Sequence, residues 1–227
     1  MRSGFNVYIG FDPQETVAYH VLSHSILRRA SAPVSITPLV RSALPNFARE
    51  RGPLESTEFS ISRFMVPSLS GFKGYSLFLD CDMLCLANVH ELLFEVVRNP
   101  GKAVYVVKHD YTPSGATKFL GQTQTTYPRK NWSSVMLFNN ERCKALDPAY
   151  VNTAHGLDMH RFAWLADDQI GELPREWNWL VGEYLPNDAA KILHYTLGGP
   201  YFPEYRKTDH ADLWFAELDS LLHPIAA

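Results

Sequence analysis

The apolar run Tyr75-Ser-Leu-Phe-Leu79 ends abruptly in Asp80-Cys81-Asp82. A short apolar run bounded by polar residues reads as a buried strand, and in the extended backbone leaving it Asp80 and Asp82 point to the same side. Two carboxylates are thereby delivered together where the strand leaves the core. Oxygen ligands suit Mg²⁺ and Mn²⁺, which keep positions open for phosphate oxygens. The pair therefore predicts a cation-bridged diphosphate site and a nucleotide-activated substrate. The competing reading is a pair of carboxylates that cap a turn.

The elements around this strand alternate. Phe5 to Gly10 reads as a strand, and Asp12-Pro13-Gln14-Glu15 follows with helix-start chemistry: Asp12 as N-cap, Pro13 at the first helical position and Glu15 closing a capping box. Val17, Val21, Leu22, Ser25 and Ile26 then recur at helical spacing, and Arg28-Arg29 complement the dipole at the far end. Val34 to Val40 predicts a second strand, Arg41 to Glu58 a loop, and Phe59 to Leu69 a helical piece. After the acidic triplet come a helix over Val89 to Val97 and strands over Ala103 to Lys108 and Ser133 to Phe138, with Tyr111 to Thr126 as loop or hairpin. Asp209 to Leu222 reads as an amphipathic helix with Leu213, Leu218 and Leu222 among its apolar residues. This alternation predicts an α/β fold with a largely parallel sheet, in which ligands bind beyond the carboxyl ends of the strands.

Composition narrows the function. The 227 residues, 46% hydrophobic and 20% charged, suit one domain with a sizeable core. A net charge of -3 without a Lys/Arg stripe excludes a general nucleic-acid binder. The start MRSGFNVYIG lacks a signal-peptide apolar stretch, and no apolar run reaches the roughly 18 residues that span a bilayer, which predicts a cytoplasmic protein. Cys81, Cys85 and Cys143 offer neither a full set of pairs nor a Cys-x-x-Cys zinc motif; Cys81 and Cys85 read as small buried residues. Trp164, Trp177, Trp179, Tyr184, Tyr195, Tyr201 and Tyr205 crowd the last third, where each is core or a platform for a sugar or base.

Together these segments resemble the nucleotide-sugar glycosyltransferases of the GT-A fold, in particular family eight, the group of glycogenin and the bacterial lipopolysaccharide galactosyltransferases. The resemblance runs from Asn6 to about Pro200 and is strongest over Tyr75 to Leu84. It implies a mixed, mostly parallel sheet flanked by helices, in one catalytic domain over 1–227. Residues about 1–110 would form the nucleotide-binding half and about 111–227 the half that meets the acceptor and completes the metal site. It also implies that Asp80 and Asp82 bind Mn²⁺ or Mg²⁺, with Asp80 also close to the ribose and Cys81 among the nucleotide-binding residues. Arg63 sits where the family carries a donor-reaching Lys or Arg, and Arg suits a bidentate grip on phosphate.

Asn131-Trp-Ser-Ser-Val-Met-Leu-Phe-Asn139 is similar to the family's Asn-Ser-Gly-Val strand, with Trp132 at its Asn position and Ser134 at its Gly position. Asp168-Gln169 resembles the family's Asp-Gln pair, which would face the transferred sugar as catalytic residues. His194 looks like the C-terminal histidine that completes the metal shell, followed by Gly198 and Gly199, whose amides can approach a diphosphate. A core histidine is the other reading of His194. The Lys that follows this segment in the family is missing; Arg63, or Arg206 and Lys207, would take its place. Gly10-Phe11-Asp12 matches the place where the family holds the base, Asp12 being either N-cap or acceptor for a uracil imide proton.

The implied activity is transfer of a sugar from a nucleoside-diphosphate sugar, UDP-linked by resemblance, to an acceptor hydroxyl, with retention of configuration. The loop Tyr111 to Arg129 and the aromatic C-terminal third would choose sugar and acceptor. Two alternatives stand beside it. Leu79-Asp80-Cys-Asp82 with Asp167-Asp168 also resembles haloacid-dehalogenase-like phosphatases, although Leu84 replaces their Thr or Val. The missing Lys leaves a catalytically silent sugar-nucleotide binder as the other.

Overall fold

In the computed structural model, residues 5–52, 55–111 and 128–223 are described. Beyond Tyr111, the segment expected as loop or hairpin lies outside the described residues. β1 (Phe5–Gly10) passes through a 3-10 turn, Pro13–Glu15, into α1 (Thr16–Arg29) and β2 (Val34–Leu39). A second turn, Ser62–Met65, and α2 (Val66–Leu69) precede β3 (Tyr75–Leu79), which gives way at the acidic triplet to β4 (Met83–Cys85). Then follow α3 (Leu92–Arg98), β5 (Val104–Val106), β6 (Val135–Asn139), α4 (Pro148–Thr153), α5 (Gly156–His160), β7 (Ile170–Glu172), β8 (Trp179–Leu180), β9 (Ile192–His194) and α6 (Ala211–Leu222).

The main sheet has the order β2-β1-β3-β6-β5-β7. β1 is parallel to β2 and β3, and β5 to β7, while β6 is antiparallel to both its neighbours. Every strand but β6 therefore runs one way, giving the mixed, mostly parallel sheet expected. β1 and β3 are covered on both faces and accordingly read as near-continuous apolar runs. β2 lies at the edge and alternates half-buried Val34 and Ile36 with exposed Ser35 and Thr37; only an edge strand tolerates Pro38, which has no amide to donate.

A second sheet, β4-β9-β8, carries the functional geometry. The acidic triplet turns the chain out of β3, and β4 pairs antiparallel with β9, Met83 opposite His194. Leu84 and Leu193 of this sheet join Val21 of α1, Trp214 of α6 and Tyr195 in a second apolar cluster. α6 is locked to α1 through the buried Glu217 carboxylate, which accepts from Arg29 at 2.9 Å and meets His24 Nδ1 at 2.7 Å. Pairing of this kind makes a buried charge tolerable.

Several expected boundaries move. α1 begins at Thr16 because the first turn is 3-10, and Asp12 caps it through Gln14 N. Glu15 closes no capping box; its side chain turns inward. Val17 is exposed, whereas Val21, Leu22, Ser25 and Ile26 are buried as expected. The piece over 59–69 and the helix from Val89 both start as 3-10 turns. The strand expected over 103–108 keeps only Val104–Val106, and Trp132–Ser134 form a 3-10 turn ahead of β6. In α6 the buried face is Ala211, Trp214 and Glu217, leaving Leu213 and Leu222 exposed. Among the described residues no helix is long and apolar enough to cross a membrane.

The end of β1 is packed tightly: a Cβ on Gly10 would stand 2.4 Å from the Phe59 ring. Overpacking of this sort costs about 1–3 kcal/mol. Gly10→Ala should lower the urea midpoint accordingly, and in a Phe59→Ala background the same substitution should cost under about 0.5 kcal/mol, the sign that one contact carries the effect. Equal losses in both backgrounds would refute it.

Candidate metal and nucleotide site

Asp80, Asp82 and His194 converge beyond the carboxyl end of β3. Each offers one ligand atom, and these atoms lie within 4.8 Å of one another. Strand pairing explains the convergence: Asp82 begins the exit into β4, and β9 brings His194 alongside, so that His194 Nε2 stands 3.4 Å from Asp82 Oδ1. A backbone bond from Tyr195 N to Asp82 O ties the two segments together. Two carboxylates and an imidazole in one small volume are the donor set of a divalent cation that accepts oxygen and nitrogen. The residues fit the Mn²⁺ or Mg²⁺ that the resemblance implies.

Arg63 reaches this centre from the turn before α2. Its Nη1 stands 2.8 Å from Asp80 Oδ1 and donates to Ser133 O at 2.9 Å. Its guanidinium packs over the adjoining Phe59 and Phe78 rings, 5.3 and 5.0 Å from their centroids. It is buried and acts on the site by holding Asp80. Of the later cations expected as substitutes for the missing Lys, Arg206 stacks on Phe215 at 4.8 Å and Lys207 is exposed.

Behind the triplet lies a residue that the sequence read only as a cap. Glu15 is 2% exposed, accepts from Tyr201 Oη at 2.6 Å and from Cys81 Sγ at 3.8 Å. Burial, and then the nearby Asp82, push its carboxyl up from 4.5 to about 8. Cys81 therefore faces inward, and burial, then Glu15, raises its thiol well above the ordinary value. All three cysteines are free and buried. Tyr201 in turn explains Gly199, where a Cβ would stand 2.1 Å from the tyrosine ring. Gly198 takes a φ of 146° and its amide donates to Tyr195 O.

After the carboxyl end of β1, Asp12 is buried and both its oxygens accept backbone amides, Oδ1 from Gln14 and Oδ2 from Glu58, each at 3.0 Å. The N-cap reading of Asp12 is the one these bonds satisfy. Beside it Phe11, Pro13, Val40, Arg41, Phe47 and Glu58 line a cavity of about 340 Å³, directly beyond the carboxyl ends of β1 and β2. Arg41 spans this cavity, its guanidinium 5.9 Å from the Phe47 ring and 3.4 Å from Glu58.

Asp168 and Gln169 are not brought to the triad. The register aligns Ser76, Phe138, Val104 and Ile170 in one row of the sheet. Asp80 lies past the carboxyl end of that arrangement, while Asp168 and Gln169 precede Ile170 at the opposite end. There Lys102 Nζ donates to Asp168 O, and the Gln169 side chain folds back onto Ala166 N. Because this chain enters β7 directly after the pair, the residues that resemble the family's Asp-Gln start a strand instead of facing the acids.

Sequence reading also missed Asn178 and His109. Asn178 is fully buried and meets His194 Nδ1 at 2.9 Å. His109, 2.8 Å from Tyr184 Oη, is driven down to about 3 by burial and then by His194. A polar residue between Trp177 and Trp179 was the only local signal for Asn178. Of the aromatics in that third, Trp177 and Tyr195 are core, and Trp164, Trp179, Tyr184, Tyr201 and Tyr205 are half-buried.

Comparison with known proteins places this geometry. No family model matches the chain. Protein CDI of Arabidopsis thaliana is 46% identical over 228 residues, covering 96% of this chain and 87% of the relative. Among solved structures, the bifunctional glycosyltransferase WbbM superposes with a TM-score of 0.64 at 18% identity, over 96% of this chain and 50% of its own, so the chain spans half the length of that protein. The galactosyltransferase LgtC, solved with donor and acceptor sugar analogues, gives a TM-score of 0.64 at 11% identity over 98% of both chains. The fold is the GT-A fold of the glycosyltransferases, resembling family eight.

Three buried groups contribute to the pH response of the metal-free protein in opposite directions. Folded Glu15 keeps its proton to about 8 whereas the unfolded chain loses it from 4.5, so its contribution is fully present below 4.5 and is lost as pH rises towards 8. His109 and His160, both held neutral down to about 3 against an ordinary 6.5, act oppositely: their contribution is present above 6.5 and lost as pH falls. Two histidines outweigh one glutamate on the acid side, so stability should peak near about pH 6.5 and fall by about 1.4 kcal/mol per unit from there to pH 8. Urea unfolding across this range should show the fall in the wild type and a plateau in Glu15→Gln. A fall that persists in the variant would remove Glu15 as its source.

Proposed function

The chain belongs to the family of Protein CDI of Arabidopsis thaliana, and from the GT-A fold and the acidic centre we propose that it is a metal-dependent glycosyltransferase. It moves a sugar from a nucleoside-diphosphate sugar, UDP-linked in this reading, to an acceptor hydroxyl. The observation that carries the reading is the meeting of Asp80, Asp82 and His194 beyond the carboxyl end of β3. Ligands of open α/β sheets bind there. The fold supports transfer over the phosphatase alternative, whose resemblance rested on the acidic strand and on Asp167-Asp168; Asp168 precedes β7 at the other end of the sheet and the Asp167 carboxylate is taken by Arg129 at 2.6 Å.

Asp80, Asp82 and His194 would hold Mn²⁺ or Mg²⁺, which when bound supplies Lewis-acid neutralisation of charge on the leaving diphosphate. The chain's own groups prepare that place. Arg63 holds Asp80 at 2.8 Å from a buried, aromatic-flanked position, which keeps the carboxylate oriented. Asp12 positions the turn after β1, and the cavity between Phe11, Arg41 and Phe47 takes the nucleoside. Residues about 1–110 thus serve the nucleotide, and about 111–227 contribute His194 and the acceptor side. Retention of configuration follows from the family resemblance.

Calorimetric titration with UDP, with and without Mn²⁺, tests the reading. Binding should require the metal and weaken at least about tenfold in Asp82→Ala, as expected for loss of a buried charged contact. UDP binding indifferent to both metal and substitution would sink it. Release of free sugar from UDP-sugars by the wild type would then separate a transferase from a silent binder.

A further inference from the structure

We propose that Asn178 and Ser134 together set the tautomer of His194, leaving its Nε2 lone pair aimed at the two aspartates. The inference rests on the reading of Asp80, Asp82 and His194 as a cation site. Asn178 is fully buried and Ser134 and His194 nearly so, so every proton in this network needs a partner. Which end of the Asn178 amide faces His194 follows from proton bookkeeping.

Ser134 Oγ donates its single proton to Asn131 O at 2.7 Å. Its oxygen is then an acceptor only, and it stands 2.8 Å from one end of the Asn178 amide. Asn131 O, also only an acceptor, lies 3.3 Å from that same end. Two acceptors require the amide NH₂, with its two protons, to point there. The carbonyl Oδ1 must then face His194 Nδ1, 2.9 Å away. Nδ1 carries the proton and donates it, and Nε2, 3.4 Å from Asp82 Oδ1, is the ring atom left for the cation. The reversed amide would set Oδ1 against Asn131 O and place the imidazole proton on Nε2, where it would bond Asp82 in place of a metal.

Ser134 stands at the Gly position of the family's Asn-Ser-Gly-Val strand. A glycine there would leave only Asn131 O to orient the amide, so this departure from the family's pattern has a use of its own. The hydroxyl of β6's entry turn fixes Asn178, Asn178 fixes His194, and the buried triad is presented in ligating form before any cation arrives. Hydrogen-bond partners of metal-bound histidines orient the ring and select its tautomer in this way. Asn178 is a positioning residue; it touches neither substrate nor cation.

Nitrogen-15 ring spectra of the metal-free protein at about pH 8.5, two units above the ordinary imidazole value, read the tautomer directly, with the His194 signals assigned by their loss in His194→Gln. The wild type should show Nδ1–H. Asn178→Leu should shift His194 towards Nε2–H and weaken Mn²⁺ binding, followed by electron paramagnetic resonance, by about 10–100-fold. Ser134→Ala, which removes only the hydroxyl, should move both readouts in the same direction by a smaller factor. An Nε2–H tautomer in the wild type would overturn the assignment, as would unchanged tautomer and affinity in both variants. Should the wild type bind no Mn²⁺ at all, the cation reading above would fail while the ring spectra still decided what Asn178 does.

Discussion

Four carboxyl groups, Asp12, Glu15, Asp80 and Asp82, are packed close enough to influence one another, and the rest of the site is arranged around that concentration of negative charge. In a low-dielectric interior like charges repel strongly and each lone carboxylate is costly to desolvate. The molecule treats each one differently. Asp12 spends its charge on two backbone amides, Asp80 on Arg63, and Glu15 keeps its proton. Asp82 faces His194, with the ring nitrogen that can share a cation with it.

This division gives the site its polarity. The inward carboxyl, raised to about 8 by burial, is bonded to Tyr201 and Cys81, while the two aspartates face outward to His194 and Arg63. Tyr201 also connects the glycine segment after His194 to the first helical turn of the chain. The small sheet β4-β9-β8, which shares an apolar cluster with α1 and α6, holds His194 against the triplet through strand pairing. Main-chain ladders are more rigid than long side chains, which suits a site whose ligand atoms must stay within a few ångströms.

Much of this was legible in advance because it follows from local rules. The β3 run and its acidic ending, the capped turn at Asp12-Pro13 and the buried face of α1 are patterns of adjacent residues. His194 was legible only through resemblance, since nothing near it in the chain announces a ligand. Glu15 was misread because a glutamate three residues after an N-cap has a local use, and the burial that overrides it comes from Tyr201, far along the chain. Asp168-Gln169 was misread for the opposite reason. The dipeptide matched, but the residues after it form β7 directly, and strand register carried the pair to the far end of the sheet.

The sequence by itself determined the fold class, the strand that delivers Asp80 and Asp82 together, and the oxygen-rich chemistry of the site, because periodicity and ligand type are properties of neighbouring residues. The tertiary structure alone decided how His194 is brought against them, that burial raises the Glu15 carboxyl, that Arg63 serves Asp80, and that Asn178 stands behind the His194 ring. Those depend on burial and on hydrogen bonds between segments that meet only when the sheets assemble, where a proton's position is set by every partner within reach.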